Sequence, residues 1–203
     1  MPYGYLGQNQ PNQTVSNSGV FSITDVAELQ SQGKLGGSLE LIEEQTVSAV
    51  SHIDFTSIQE DKYDVHFLQL NSISSTANLN GGYQFYESGA LRTASDYQYA
   101  MQYGTASGSF AEQKSTGISR IVAQNYFSAN PTSAYAYFYN LGNSSKYSFC
   151  TYQVWVGGQS LFMFGGGVSP LTSLVDGIRV YTSGTNAISG NAKLYGVKQI
   201  WVT

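Results

Sequence analysis

An all-β fold, an antiparallel two-sheet β-sandwich of the jelly-roll kind with an extended N-terminal arm and one short helix, is what this sequence predicts. Three observations lead there. From residue 39 onward, short runs of β-branched and aromatic residues recur with period-two alternation. Gly and Asn punctuate those runs where tight turns need positive φ. No amphipathic helical pattern interrupts them, which removes the crossovers that a parallel sheet requires. At this size a jelly roll is the usual way to protect sheet edges.

The elements follow in order. Residues 2–19 are rich in Gly, Asn, Gln and Ser and hold two prolines, too polar to bury much surface, and read as an extended arm. A short helix follows over 24–32, with Ile23, Val26 and Leu29 on one side, Ser22 or Thr24 as cap and Gly33 as its close. Gly36-Gly37 then breaks the chain, so residues 1–38 are expected to form an arm and helix for attachment, and 39–203 the sandwich.

Expected strands are 39–45, 49–56, 63–70, 82–87, 97–103, 118–123, 134–141, 147–156, 161–164, 177–181 and 192–202. The clearest alternations set Tyr97, Tyr99, Met101 and Tyr103 against Gln98, Ala100 and Gln102, and Tyr135, Tyr137 and Tyr139 against Ala134, Ala136 and Phe138. Asn80-Gly81-Gly82, the run from Leu141 to Ser145, Gly157-Gly158, Thr182-Ser183-Gly184 and Ser189-Gly190-Asn191 read as turns. Absence of a fixed-period repeat argues against a propeller or solenoid.

Composition narrows the function. Charged residues are only 11% of the 203, against roughly 25% in an average soluble protein, so the polar surface is built from Ser, Thr, Asn, Gln and Gly. Such a surface packs against other subunits with little charge desolvation, and sixteen Tyr and ten Phe add the aromatic area typical of protein or sugar interfaces. A net charge of -4 without a Lys/Arg cluster lacks the electrostatic footprint of nucleic-acid binding. The first eight residues show neither a positive region nor an apolar one, and no stretch stays apolar long enough to span a bilayer as a helix, so neither leader-directed export nor a membrane partner is expected. Cys150 has no partner for an internal disulfide and, lying in a strand-like run, reads as a buried inert thiol.

Catalytic motifs are missing: there is no nucleophile elbow, no His-Glu-x-x-His, no Cys-x-x-Cys and no phosphate loop with its Lys. Gly165-Gly166-Gly167, with no helix start or Lys-Ser/Thr after it, reads as a loop or bulge. His52-Ile53-Asp54 and Asp64-Val65-His66 would share a face if their strands formed a hairpin, a set able to ligate a divalent metal. Ordinary alternation around core residues Ile53, Phe55, Val65 and Phe67 produces the same pattern, so no metal and no cofactor is expected. Glu43-Glu44 and Glu60-Asp61 are chain neighbours, a spacing that does not set two acids across a glycosidic bond. Tyr83, Tyr86, Tyr152 and Trp155 offer rings for a sugar platform, though most such rings in a sandwich belong to core or subunit interface.

The stretches Gly4-Tyr5-Leu6-Gly7, Pro11-Asn12-Gln13-Thr14-Val15-Ser16, Gly19-Val20-Phe21-Ser22-Ile23 and Gly37-Ser38-Leu39-Glu40-Leu41-Ile42 come in a characteristic order. Phe138-Tyr139-Asn140-Leu141-Gly142, Phe164-Gly165-Gly166-Gly167-Val168, Ile178-Arg179-Val180-Tyr181 and Lys193-Leu194-Tyr195-Gly196-Val197-Lys198 follow. In these the chain resembles the small jelly-roll virion proteins of tailed marine phages, especially cyanophages, over most of its length. The resemblance implies a particle component without enzymatic activity, made in the host cytoplasm and sited in the virion, and it brings no catalytic residues. Capsid decoration or a tail-fibre-like appendage is the expected role, with other virion proteins as partners and a homo-oligomer, a trimer by family analogy. Tyr3, Tyr5, Leu6 and Val15 are the sizeable apolar groups of the arm and are expected to insert into a neighbouring protein. The alternative expectation is a host-attachment module that binds surface carbohydrate through loops at one end of the sandwich.

Overall fold

The computed structural model describes residues 23–31, 38–104, 107–158, 161–185 and 187–198. The chain divides into two units, Met1–Ser38 and Leu39–Thr203. Within the first, the helix α1 spans Ile23–Ser31, with Ile23 and Val26 exposed. The arm residues Tyr3, Tyr5, Leu6 and Val15 lie outside the described residues, as do Gly33 and Gly36-Gly37.

The second unit is a sandwich of two antiparallel sheets. Its strands are β1 (Leu39–Val50), β2 (Ile53–Phe55), β3 (Val65–Ser75), β4 (Leu79–Glu87), β5 (Ala90–Leu91), β6 (Tyr97–Gly104) and β7 (Phe110–Ile118). They continue with β8 (Ile121–Phe127), β9 (Thr132–Tyr139), β10 (Ser148–Val156), β11 (Leu161–Ser169), β12 (Val175–Thr182) and β13 (Ile188–Val197). The large sheet runs β1-β13-β3-β9-β10-β11-β6-β7; the small one runs β2-β12-β4-β5, with β8 also paired to β4. Numbered in chain order, β1, β2, β3, β4, β8, β9, β12 and β13 fall into sheets ordered 1-8-3-6 and 2-7-4-5, the strand order of a jelly roll. The remaining strands are insertions, and β6, β7, β10 and β11 widen the large sheet beyond the jelly-roll core.

Alternation does what the sequence says it should. In β9 and β10 every second residue is buried, Ala134, Ala136 and Phe138 facing Cys150, Tyr152 and Val154 across the ladder, while Tyr135, Phe149 and Trp155 point outward. Opposite them Ile53, Phe55, Tyr83, Phe85, Ile178 and Val180 supply the inner face of the small sheet. Buried tyrosines join the layers. Tyr152 donates to the Val122 carbonyl at 2.6 Å and the Phe85 amide donates to the Tyr97 hydroxyl at 3.0 Å, while within the small sheet the hydroxyls of Tyr83 and Tyr126 meet at 2.6 Å.

Several expectations need correction. Residues 80–82 and 165–167 are strand, in β4 and β11, and 189–191 are strand with a bulge in β13. β7 matches none of the expected strands, because Glu, Lys, Ser and Gly fill an edge strand that buries little. The hairpin of His52-Ile53-Asp54 with Asp64-Val65-His66 does not form: β2 belongs to the small sheet and β3 to the large one. The turns at 141–145, 157–158 and 182–184 stand where they were expected.

Candidate functional site: the aromatic outer face of the large sheet

The two outer faces of the sandwich differ in chemistry. On the small sheet the outward residues form an ion-pair lattice. Arg179 grips Asp54 with two hydrogen bonds of 2.6 and 2.8 Å and donates a third to the Tyr86 hydroxyl at 2.8 Å. Its neighbours are rings: His52 stacks on Tyr181 at 5.4 Å, and the Arg120 guanidinium lies 4.7 Å from the Tyr181 centroid. Asp54 is thereby fully engaged, and burial followed by the nearby Arg179 charge lowers the His52 pKa. His66 is in the core of the other sheet, with Nε2 donating to the Ile58 carbonyl at 2.8 Å. Among the described residues no group of three or more His, Cys, Asp or Glu side chains stands close enough to hold a metal.

On the large sheet, β3, β9, β10, β11 and β6 are successive neighbours, and alternation turns one residue in two outward. Ladder register aligns them in rows. Phe67 stands opposite Tyr137 and Tyr195; Gln69, Tyr135, Gln153, Phe164 and Gln102 form the next row; Trp155 pairs with Phe162, and Phe149 with Tyr139 and Val168. No Asp, Glu, Lys or Arg points outward from these five strands, which belong entirely to the described residues. Rings touch along the face. Phe67 and Tyr137 have centroids 4.9 Å apart, Phe67 and Tyr195 6.0 Å, Trp155 and Phe162 6.1 Å, and Phe162 and Phe164 6.0 Å.

Trp155 is 55% exposed and Phe164 39%. Between the rings lie grooves. One of about 700 Å³ is floored by Ala100, Gly166 and Gly167 and walled by Phe149, Val168, Gln98 and Lys114; another of about 370 Å³ runs between Phe67, Tyr135, Trp155 and Phe162. Aromatic area and amide and hydroxyl groups across β3, β9, β10, β11 and β6, with charge confined to the flanking strands at Lys114 and Lys193, make a surface that a partner can cover at little desolvation cost.

Sequence reasoning singled out Tyr83, Tyr86, Tyr152 and Trp155 as platform rings, and the structure separates them. Tyr83 and Tyr152 are core, Tyr86 is pinned under Arg179, and Trp155 belongs to the exposed face. Phe67, expected in the core with Val65, points outward instead, and His66, expected on the wet face, is buried, because Leu68 and Leu70 share the parity of His66 and fill the core. Tyr195, Phe149, Phe162 and Phe164 were not singled out. Tyr135, Tyr137 and Tyr139 were read correctly as one alternating set, and that alternation was the available signal. Cys150 is buried, and burial raises its thiol pKa well above the ordinary range, so it is no nucleophile at neutral pH.

No family model matches the chain, and no curated protein matches it. Among solved structures it is similar to a fructofuranosidase from Schwanniomyces occidentalis complexed with fructosylnystose, at 7% identity and a TM-score of 0.28. The match covers 81% of this chain and 35% of the enzyme's, a likeness too slight to bear on activity.

Proposed function

We propose that this chain is a non-enzymatic structural protein on the exterior of a tailed-phage particle, a capsid-decoration or tail-appendage component. The observation that carries the reading is the ring-studded outer face of β3, β9, β10, β11 and β6, five neighbouring strands without an outward charge, which suits burial against another protein. The virion setting comes from the resemblance of the sequence to phage structural proteins. The N-terminal arm, through Tyr3, Tyr5, Leu6 and Val15, supplies a second attachment.

The test replaces Trp155, Phe162 and Phe164 with Ser, and in a separate chain deletes residues 1–18. Thermal unfolding is measured beside copy number on purified particles. Both variants are expected to stay folded and to be lost from the particle. Full incorporation of both would overturn the proposal.

A second reading has a specific observation behind it. Rings beside Gln69, Gln153 and Gln102 on one face also match the alternating apolar and hydroxyl surfaces of a neutral sugar chain. Carbohydrate would then bind on the sheet face and not through loops at one end. A glycan array separates the two readings: retention of a neutral glycan, lost with Trp155→Ser, favours recognition over assembly.

A further inference from the structure

Beyond that reading, β7 shows which second molecule can extend the large sheet. Among the described residues β7 pairs with β6 on one side and with no strand on the other, so a row of backbone donors and acceptors faces outward at the sheet edge. Its pairing with β6 sets Gln102 opposite Glu112, Met101 opposite Gln113 and Ala100 opposite Lys114. Glu112 and Lys114 therefore share the aromatic outer face, both exposed, and neither has an ion-pair partner among the described residues. A lone edge lysine repels an incoming strand. A Glu and a Lys two residues apart on one face behave differently, because they complement their own inverse.

We infer that β7 pairs antiparallel with β7 of a second copy about a two-fold axis through Gln113. In that register Glu112 of each copy stands opposite Lys114 of the other, giving two cross-strand ion pairs, and Ala111 stands opposite Ser115. Opposite charges directly across an antiparallel pair stabilise it, and like charges there destabilise it. The bulge between Ser115 and Ile118 ends the regular edge and limits the pairing to this stretch. A two-fold contact of this kind closes on itself as a dimer and joins two large sheets edge to edge, with their aromatic faces on one side.

The test is charge exchange, read by sedimentation velocity of the full chain over a concentration series. The wild type is expected to dimerise and to weaken as salt rises. Glu112→Lys alone sets Lys against Lys, and Lys114→Glu alone sets Glu against Glu; each is expected to raise the dissociation constant at least roughly tenfold. The double variant Glu112→Lys/Lys114→Glu restores dimerisation. Mixing the two single variants also restores it, now as a heterodimer, and this outcome excludes misfolding as the cause of loss. A monomeric wild type, single variants that associate as before, or a mixture that stays monomeric would each overturn the inference. So would a dimer that is lost on deleting residues 1–18 and is insensitive to both charge changes. Particle incorporation is a separate readout, so this pairing and the proposed function can fail independently.

Discussion

His66 makes the core sensitive to acid. Its ring is fully buried, Nε2 donates to the Ile58 carbonyl, and Nδ1 has no partner, so the neutral tautomer fits and the cation does not. Burial lowers its pKa, with the Ile58 hydrogen bond opposing in part. The folded pKa is thus below the unfolded value of about 6.5, and the unfolded chain binds the extra proton. Stability from this residue is present above that value and falls as pH drops through and below it, by about 1.4 kcal/mol for each unit of depression. Thermal unfolding between pH 7.5 and 5 should show a falling midpoint. His66→Phe should flatten that fall while costing about 1–3 kcal/mol at pH 7.5, since the Ile58 carbonyl loses its donor. Because the His52 pKa is lowered as well, His52→Ala is the companion variant. Tyr83 and Tyr126 give the second prediction at this scale: their hydroxyls satisfy each other in a fully buried site. Tyr83→Phe leaves the Tyr126 hydroxyl alone and should cost about 1–3 kcal/mol in denaturant unfolding.

At the scale of elements, β8 is the strand around which the others are tailored. It belongs to the small sheet, pairing with β4, and meets the large sheet where Tyr152 of β10 donates to the Val122 carbonyl and where Ile121 lies beside Gly167 of β11. Glycines make the room. A Cβ on Gly82, at φ 152°, would come within 2.1 Å of the Ile121 carbonyl oxygen; one on Gly167 would lie 2.5 Å from the Gln98 oxygen and 2.7 Å from the Ile121 side chain. Backbone on one side and a packed strand on the other leave no route for relief. Gly167→Ala should therefore destabilise by about 1–3 kcal/mol, with a lowered denaturant midpoint and unchanged slope. Exposed rings obey the opposite rule: Trp155→Ser removes no core contact, and its expected effect is on attachment.

At the scale of the whole molecule, the hydrophobic core cluster among the described residues lies within 39–203 and is drawn from both sheets. That region holds its own core, so residues 39–203 expressed alone should give a β-dominated circular dichroism spectrum and a single cooperative unfolding transition. A spectrum of an unfolded chain would show that residues 1–38 are required for folding. The two outer faces divide the remaining labour. One is tied down by Arg179, Asp54 and Tyr86, whereas the other presents exposed rings such as Trp155, Phe149 and Phe164 across its central strands.

Much of this was legible in the linear chain. Period-two patterning names the inward and outward residues of β6 and β9 without any coordinates, because in a strand side-chain direction follows residue parity alone. Turn chemistry marks the ends of β9, β10 and β12 for the same local reason. The absence of catalytic spacing is likewise a property of the string of residues. Glycine is where local reading stops. Gly81-Gly82 and Gly165-Gly166-Gly167 carry the composition of turns, yet in the fold they are strand positions where neighbouring strands come too close to leave room for a Cβ. The two halves of the His52 and His66 pattern separate into different sheets because strand partners are chosen by long-range burial, which neighbours in sequence do not encode. Which outward-facing strands lie side by side, and hence that separate rings form one surface, is decided by jelly-roll order and its inserted strands. Only tertiary structure holds that information, since adjacency in a sheet is a relation between distant segments and no single segment carries it.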